Sequence, residues 1–195
     1  NYYVSFREKH GFTCFQPCVD GYYLQEDPSE AVIHGKHKDI PYMLGQTSGE
    51  QFGIPNNLED FTQSIRRRYP QEADRILAAA NVTTVETMQE LFRSDAFNIR
   101  TLANVLFCKT QLMQKRNTHP TYLYYFAPTT IPGDNAGAFH SSELWFMFET
   151  LAKSTRPFNG KHYDLAHDMC NYWTNFIKNG DPNGVRADGS PMVEW

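Results

Sequence analysis

The stretch Ile40-Pro-Tyr-Met-Leu-Gly45-Gln-Thr-Ser-Gly-Glu50 begins as a short apolar run, closes on a glycine and ends on an acid. A run of that length and composition predicts a strand buried on both faces, as in a parallel sheet. A second such strand is predicted at Tyr122-Leu-Tyr-Tyr-Phe126, dense in strand formers and bounded by Pro120 and Pro128. Helical periodicity fills the interval. It runs through Leu58, Phe61 and Ile65, stops at Pro70, and resumes at Ala73, Ile76, Leu77 and Ala80. Thr83 with Glu86 forms a capping box before Val85, Met88, Leu91 and Phe92, and a longer pattern continues from Phe97 to Met113. Residues 58 to 115 therefore read as a mainly helical excursion between two sheet neighbours. After the second strand come a glycine-rich loop and an apolar segment from Leu144 to Phe148. An amphipathic helix with Leu165, Met169, Tyr172, Trp173, Phe176 and Ile177 on its apolar face follows, closed by Lys178, Gly180 and Pro182. Strand, helices, strand, helix is an α/β pattern, with no repeat or linker dividing it. The first thirty residues, punctuated by Pro17, Gly21, Asp27 and Pro28, read as an irregular connection.

Composition limits the function classes. With 195 residues, 41% of them hydrophobic and 14% aromatic, the chain can bury about 70% of its unfolded surface. Disorder is excluded as the dominant state. Eighteen Lys and Arg against 22 Asp and Glu give a net charge of -4, which supplies no basic field for nucleic acid or anionic lipid. No apolar run approaches the roughly 20 residues of a membrane helix, so no membrane partner is expected, and residues 1 to 6 lack the pattern of a signal peptide. Cys14, Cys18, Cys108 and Cys170 are too few for a disulfide scaffold and read as half-buried small residues, with one or two bridges left open. Asn81-Val-Thr83 fits a glycosylation acceptor, a pattern too short to fix the compartment.

In open α/β sheets the reactive groups sit on loops beyond the carboxyl ends of strands. Here the first strand leads to Glu50 and the second to His140, in Gly137-Ala-Phe-His140-Ser-Ser-Glu143. A carboxylate and an imidazole on adjacent strand ends can meet, the carboxylate accepting the Nδ1 proton and fixing the tautomer. Taken singly, each has a plainer reading, His140 as a hydrogen-bonded structural histidine and Glu50 as a solvated loop acid. His34, His37 and Asp39, and likewise His162, His167 and Asp168, include ligand types, but neither group has the spacing of a metal site. No metal or other cofactor is expected. Arg66-Arg-Arg68 closes a helix, where cations suit the dipole.

From about Phe15 to Trp195 the chain resembles the C-terminal part of the type B carboxylesterase and cholinesterase family of the α/β-hydrolase fold. The segments that carry the resemblance occur in family order. They are Phe15-Gln-Pro-Cys-Val-Asp-Gly21, Ile40 to Gly45 with its acid five residues on, Thr121 to Phe126, Gly137 to Leu144, and Tyr172-Trp-Thr-Asn-Phe-Ile-Lys-Asn-Gly180-Asp-Pro-Asn183. The resemblance implies that Glu50 is the acid and His140 the base of a Ser-Glu-His triad. It implies structural roles for Glu143 and Asp95. It also slightly favours a secreted or extracytoplasmic location.

One departure is chemical. Family enzymes attack the ester carbonyl with the serine of a Gly-x-Ser-x-Gly elbow, and no such motif occurs in these 195 residues. Ser48 has the wrong spacing, and Ser141 and Ser142 begin a helix beside the base. Chain order in this fold is serine, acid, histidine, which places the nucleophile upstream of Glu50, and the 49 residues there hold no strand-elbow-helix unit. The expectation is a single incomplete domain that ends before the family's terminal helix and is inactive alone. It would act on a carboxylic ester only together with the N-terminal portion of the same protein. Uncovered sheet edges and apolar faces would then favour self-association. The alternative is a non-catalytic binding or adhesion module of cholinesterase type. Phe52, Phe97, Phe139 and Trp145 are candidates for apolar wall around a substrate, with core packing the plainer role for most.

Overall fold

The computed structural model describes residues 17–50, 54–93, 99–114, 118–128, 131, 133–134 and 136–195. The chain divides into two compact units, residues 1–38 and 39–195. In the first, a short helix α1 (Pro28–Ile33) replaces part of the expected irregular segment. Asp27 and Pro28 start it: the Asp27 carboxylate accepts from the N–H groups of Ser29 and Glu30, and proline occupies the first turn, where its missing N–H has no consequence.

The second unit is built on two parallel strands, β1 (Tyr42–Thr47) and β2 (Thr121–Phe126), paired from Tyr42 opposite Thr121 to Thr47 opposite Phe126. Between them lie α2 (Leu58–Arg68), α3 (Ala73–Ala80), α4 (Val85–Arg93) and α5 (Ile99–Met113). After β2 come the single-turn α6 (Leu144–Met147), a 3-10 turn (Leu151–Lys153) and the 20-residue α7 (Gly160–Asn179). Both strands are less buried than their composition predicts. Tyr42 to Gly45 are half-buried and Tyr125 is exposed. The reason is that, among the described residues, each strand has one strand neighbour.

Glycine at position 45 sets how closely the strands carry their side chains, because a Cβ there would stand 2.2 Å from the Tyr124 carbonyl oxygen and against its ring. Behind the sheet, Phe126, Ala138, Phe146, Leu151, Ala166 and Met169 form one core, with Tyr124, Phe158 and Trp173 packed on it. A second core of Phe61, Ile65, Ala73 and Met88 joins α2, α3 and α4. The cap of α4 differs by one residue from the sequence reading. Thr84 and Thr87, rather than Thr83 and Glu86, exchange hydroxyl and backbone hydrogen bonds. Gln46 ties β1 to α5, donating to Thr101 and accepting from Asn104. The N-terminus of α7 is closed by Asn159 and His162, and its C-terminus by Gly180 at φ 72°, where a Cβ would meet Pro41 at 2.8 Å.

Cys18, Cys108 and Cys170 are free thiols; Cys18 is exposed rather than half-buried, and Cys14 lies outside the described residues. Among the described residues, no helix is long and apolar enough to cross a membrane.

Candidate active site

Beyond the last residues of β1 and β2 the two chains stay in step. Ser48 N–H donates to the Phe126 carbonyl at 2.9 Å, and Gly49 N–H to the Ala138 carbonyl at 2.8 Å. Gly49 then pairs with Phe139 in a parallel bridge. The next residue on each side is Glu50 and His140. Position 49 has to be glycine for this approach, since a Cβ would come within 2.6 Å of the Ala138 carbonyl oxygen. Strand pairing thus delivers an acid and an imidazole, 90 residues apart in sequence, to one point.

His140 Nδ1 lies 2.9 Å from Glu50 Oε2. An ionised carboxylate can only accept, so Nδ1 carries the proton and Nε2 is the basic nitrogen. The second carboxylate oxygen, Oε1, accepts from the Thr47 hydroxyl at 3.1 Å. Exposure separates the two partners: the Glu50 side chain is 8% exposed and that of His140 58%. The acid is shielded, where its field on the imidazole is strong, while the base faces solvent. Tyr124, on the strand beneath, has its phenol pushed up by burial, with the Glu143 and Glu50 carboxylates adding to the effect.

After His140 the chain turns sharply, with Ser141 at φ 67° and Ser142 N–H donating to the Phe139 carbonyl at 2.9 Å. Ser142 is fully buried, and its Oγ and Glu143 Oε2 have no hydrogen-bond partner among the described residues. Before His140, Arg156 reaches back to the loop: its Nε donates to Asp134 and one terminal nitrogen donates to the Gly137 carbonyl at 3.1 Å. Phe139 meets Trp145 edge to face at 5.8 Å. Phe52, Asp95 and Phe97 fall outside the described residues.

The histidine and acid clusters elsewhere are engaged in other pairs. Asp39 accepts from Thr118 and His119, His167 bonds Glu149, and Asp168 bonds Arg186. No group of three potential metal ligands occurs among the described residues. Thr47 and Arg156 escape a reading of the sequence, because neither lies in a motif. Each is defined by what it touches across a fold.

A model of the Carboxylesterase family matches residues 3–195. The chain belongs to the carboxylesterase family. It is 28% identical to carboxylesterase 4A of Bos taurus over 192 residues, covering 86% of this chain and 34% of that protein. It is 26% identical to the para-nitrobenzyl esterase of Bacillus subtilis (strain 168), covering 87% of this chain and 35% of that protein. A carboxylesterase-family chain of this length thus spans about a third of these relatives. Among solved structures, a thermophilic PNB esterase superposes with a TM-score of 0.68 at 21% identity, covering 93% of this chain and 39% of that one. A second PNB esterase gives 0.65 at 21%, covering 88% and 36%. These neighbours establish the architecture as part of an α/β-hydrolase fold.

Proposed function

We propose that Glu50 and His140 are the acid and base of a Ser-Glu-His triad in a carboxylic-ester hydrolase. The observation that carries this reading is the 2.9 Å contact from Nδ1 to Oε2, made at the ends of two adjacent parallel strands. His140 Nε2 would take the proton of a serine hydroxyl as the oxygen attacks the ester carbonyl, then return it to the leaving alcohol. Glu50 would hold the ring in that tautomer and stabilise the imidazolium formed between the two transfers.

These 195 residues contain no Gly-x-Ser-x-Gly elbow, so the serine and the oxyanion donors would come from another portion of the protein. Without them no group is placed to stabilise a tetrahedral oxyanion, and hydrolysis by this chain should stay at background. An assay with a short-chain aryl ester, joined to labelling by a serine-directed fluorophosphonate, tests this. No turnover and no label are expected. Turnover abolished by His140→Ala, or a labelled serine within the chain, would overturn the claim that the nucleophile lies elsewhere. Joining an upstream segment that bears the serine elbow should restore turnover, and restored turnover should vanish in both Glu50→Ala and His140→Ala. Persistence of that turnover in either variant would refute the triad assignment.

A further inference from the structure

The loop that carries His140 is held by a side chain far from the triad geometry. Arg156, on the segment leading into α7, meets the loop at three places within six residues. Its Nε donates to Asp134 Oδ2, a terminal nitrogen donates to the Gly137 carbonyl at 3.1 Å, and its guanidinium carbon stands 5.1 Å from the centre of the Phe139 ring. The same guanidinium carbon stands 5.6 Å from the centre of the Phe158 ring. The Arg156 and Asp134 side chains are only 10% and 14% exposed, so this is not a solvated surface pair of negligible strength. Asp134 also accepts from Ala136 N–H at 2.7 Å.

We propose that Arg156 is a positioning residue for His140, holding Asp134, Gly137 and Phe139 so that the imidazole meets Glu50. This rests on the reading of Glu50 and His140 as a working acid-base pair. Three features of the site select arginine. The fork supplies two divergent donors, one for a carboxylate and one for a carbonyl, while the planar face stacks against aromatic rings. Lysine offers a point charge and cannot do all three. The carboxylate, the carbonyl and the ring are six, three and one residues before His140, so the contacts extend to the residue next to the imidazole.

The test is the tautomeric state of His140, read from the imidazole nitrogen resonances of the 15N-labelled 195-residue chain. Its Nδ1–H form should dominate in the unaltered chain, as the bond to Glu50 requires. Arg156→Ala should lower the ratio of the Nδ1–H to the Nε2–H form roughly tenfold, the size expected for losing one hydrogen bond to a charged group. Arg156→Lys should recover part of that ratio. His167, bonded to Glu149 at 2.9 Å, is the internal reference and should not change. Glu50→Gln separates the two levels of inference. If Glu50→Gln alters the His140 signals and Arg156→Ala does not, the role of Arg156 is refuted and the pair stands. If Glu50→Gln leaves them unchanged, the pairing itself fails. Should Arg156→Ala also collapse the His167 signals, Arg156→Lys decides. With His167 intact, a His140 ratio equal to that of the unaltered chain refutes the proposal, and a reduced ratio supports it.

Discussion

A carboxylate that must stay ionised and oriented needs donors on both oxygens, and Glu50 takes one from the imidazole and the other from the Thr47 hydroxyl. Thr47 is fully buried, so its hydroxyl has exchanged water for this one bond. Thr47→Val keeps the shape and removes the hydroxyl that donates to Oε1. It should destabilise the chain by about 1.5–3 kcal/mol in urea unfolding, the range for hydrogen bonds to charged groups, whereas Thr47→Ser should lose less than half of that. A larger loss in Thr47→Ser than in Thr47→Val would show that Thr47 matters through its methyl group instead. This residue also marks the limit of reading the site from sequence. Glu50 and His140 are legible because each lies on the loop that follows a recognisable strand. Thr47 reads only as the end of that strand, and Arg156 precedes Pro157 and Phe158 in a segment without periodicity. Their partners lie three residues away across a turn and 22 residues away across a loop. No sequence spacing encodes those contacts.

At the level of elements, the strand register does the positioning, and the two glycines that permit it are the sensitive points. Gly49→Ala would drive a methyl group into the Ala138 carbonyl, and backbone cannot yield as a side chain does. The expected result is a stability loss of about 1–3 kcal/mol together with loss of the His140 Nδ1–H signature. A variant that keeps that signature would show that the two loops need not touch at residue 49. The opposite ends of the strands are tied by Asp39, which accepts from the Thr118 hydroxyl and N–H and from His119 Nδ1. The Thr118 hydroxyl first, its N–H next and then His119 hold the Asp39 carboxyl down at about 2. A carboxyl depressed on folding adds stability above its unfolded value of roughly 4, and that contribution is lost as pH falls toward the folded value. The difference in Tm between the unaltered chain and Asp39→Asn should therefore be constant above about pH 5 and shrink as pH falls from 4 to 2. A pH-independent difference would refute the linkage. The strands and the helical excursion were legible from period and punctuation. Their burial was not, since a run such as Ile40 to Gly45 states what a strand can cover and is silent on how many neighbours it has.

For the molecule as a whole, the same question of missing neighbours falls most heavily on α5. Leu102, Val105, Leu106, Leu112 and Met113 are all exposed, the last two at 83% and 73%. At 100° per residue these five positions fall within one stripe about 120° wide, the width of a face that ordinarily packs on a core. Asn104, on the opposite side of the helix, and Thr101, at the margin of the stripe, are both bonded to Gln46 of β1, so the helix cannot turn the stripe inward without breaking those bonds. On β2, Leu123 and Tyr125 are also exposed, on a strand with one neighbour among the described residues. A row of exposed apolar side chains along one helix face is the kind of surface that marks an interaction site. The chain covers about a third of its relatives, whose remaining length could supply that cover. Alone in solution, a second copy is the available partner, and concentration-dependent self-association is expected in light scattering. Replacing Leu102 and Leu106 together by glutamate puts two charges within the stripe and should shift the chain toward monomer without lowering its stability by more than about 1 kcal/mol, because both side chains are already exposed. A monomer at every concentration before substitution would refute this role for α5. Association unchanged by the double substitution would move the contact to the open edge of β2.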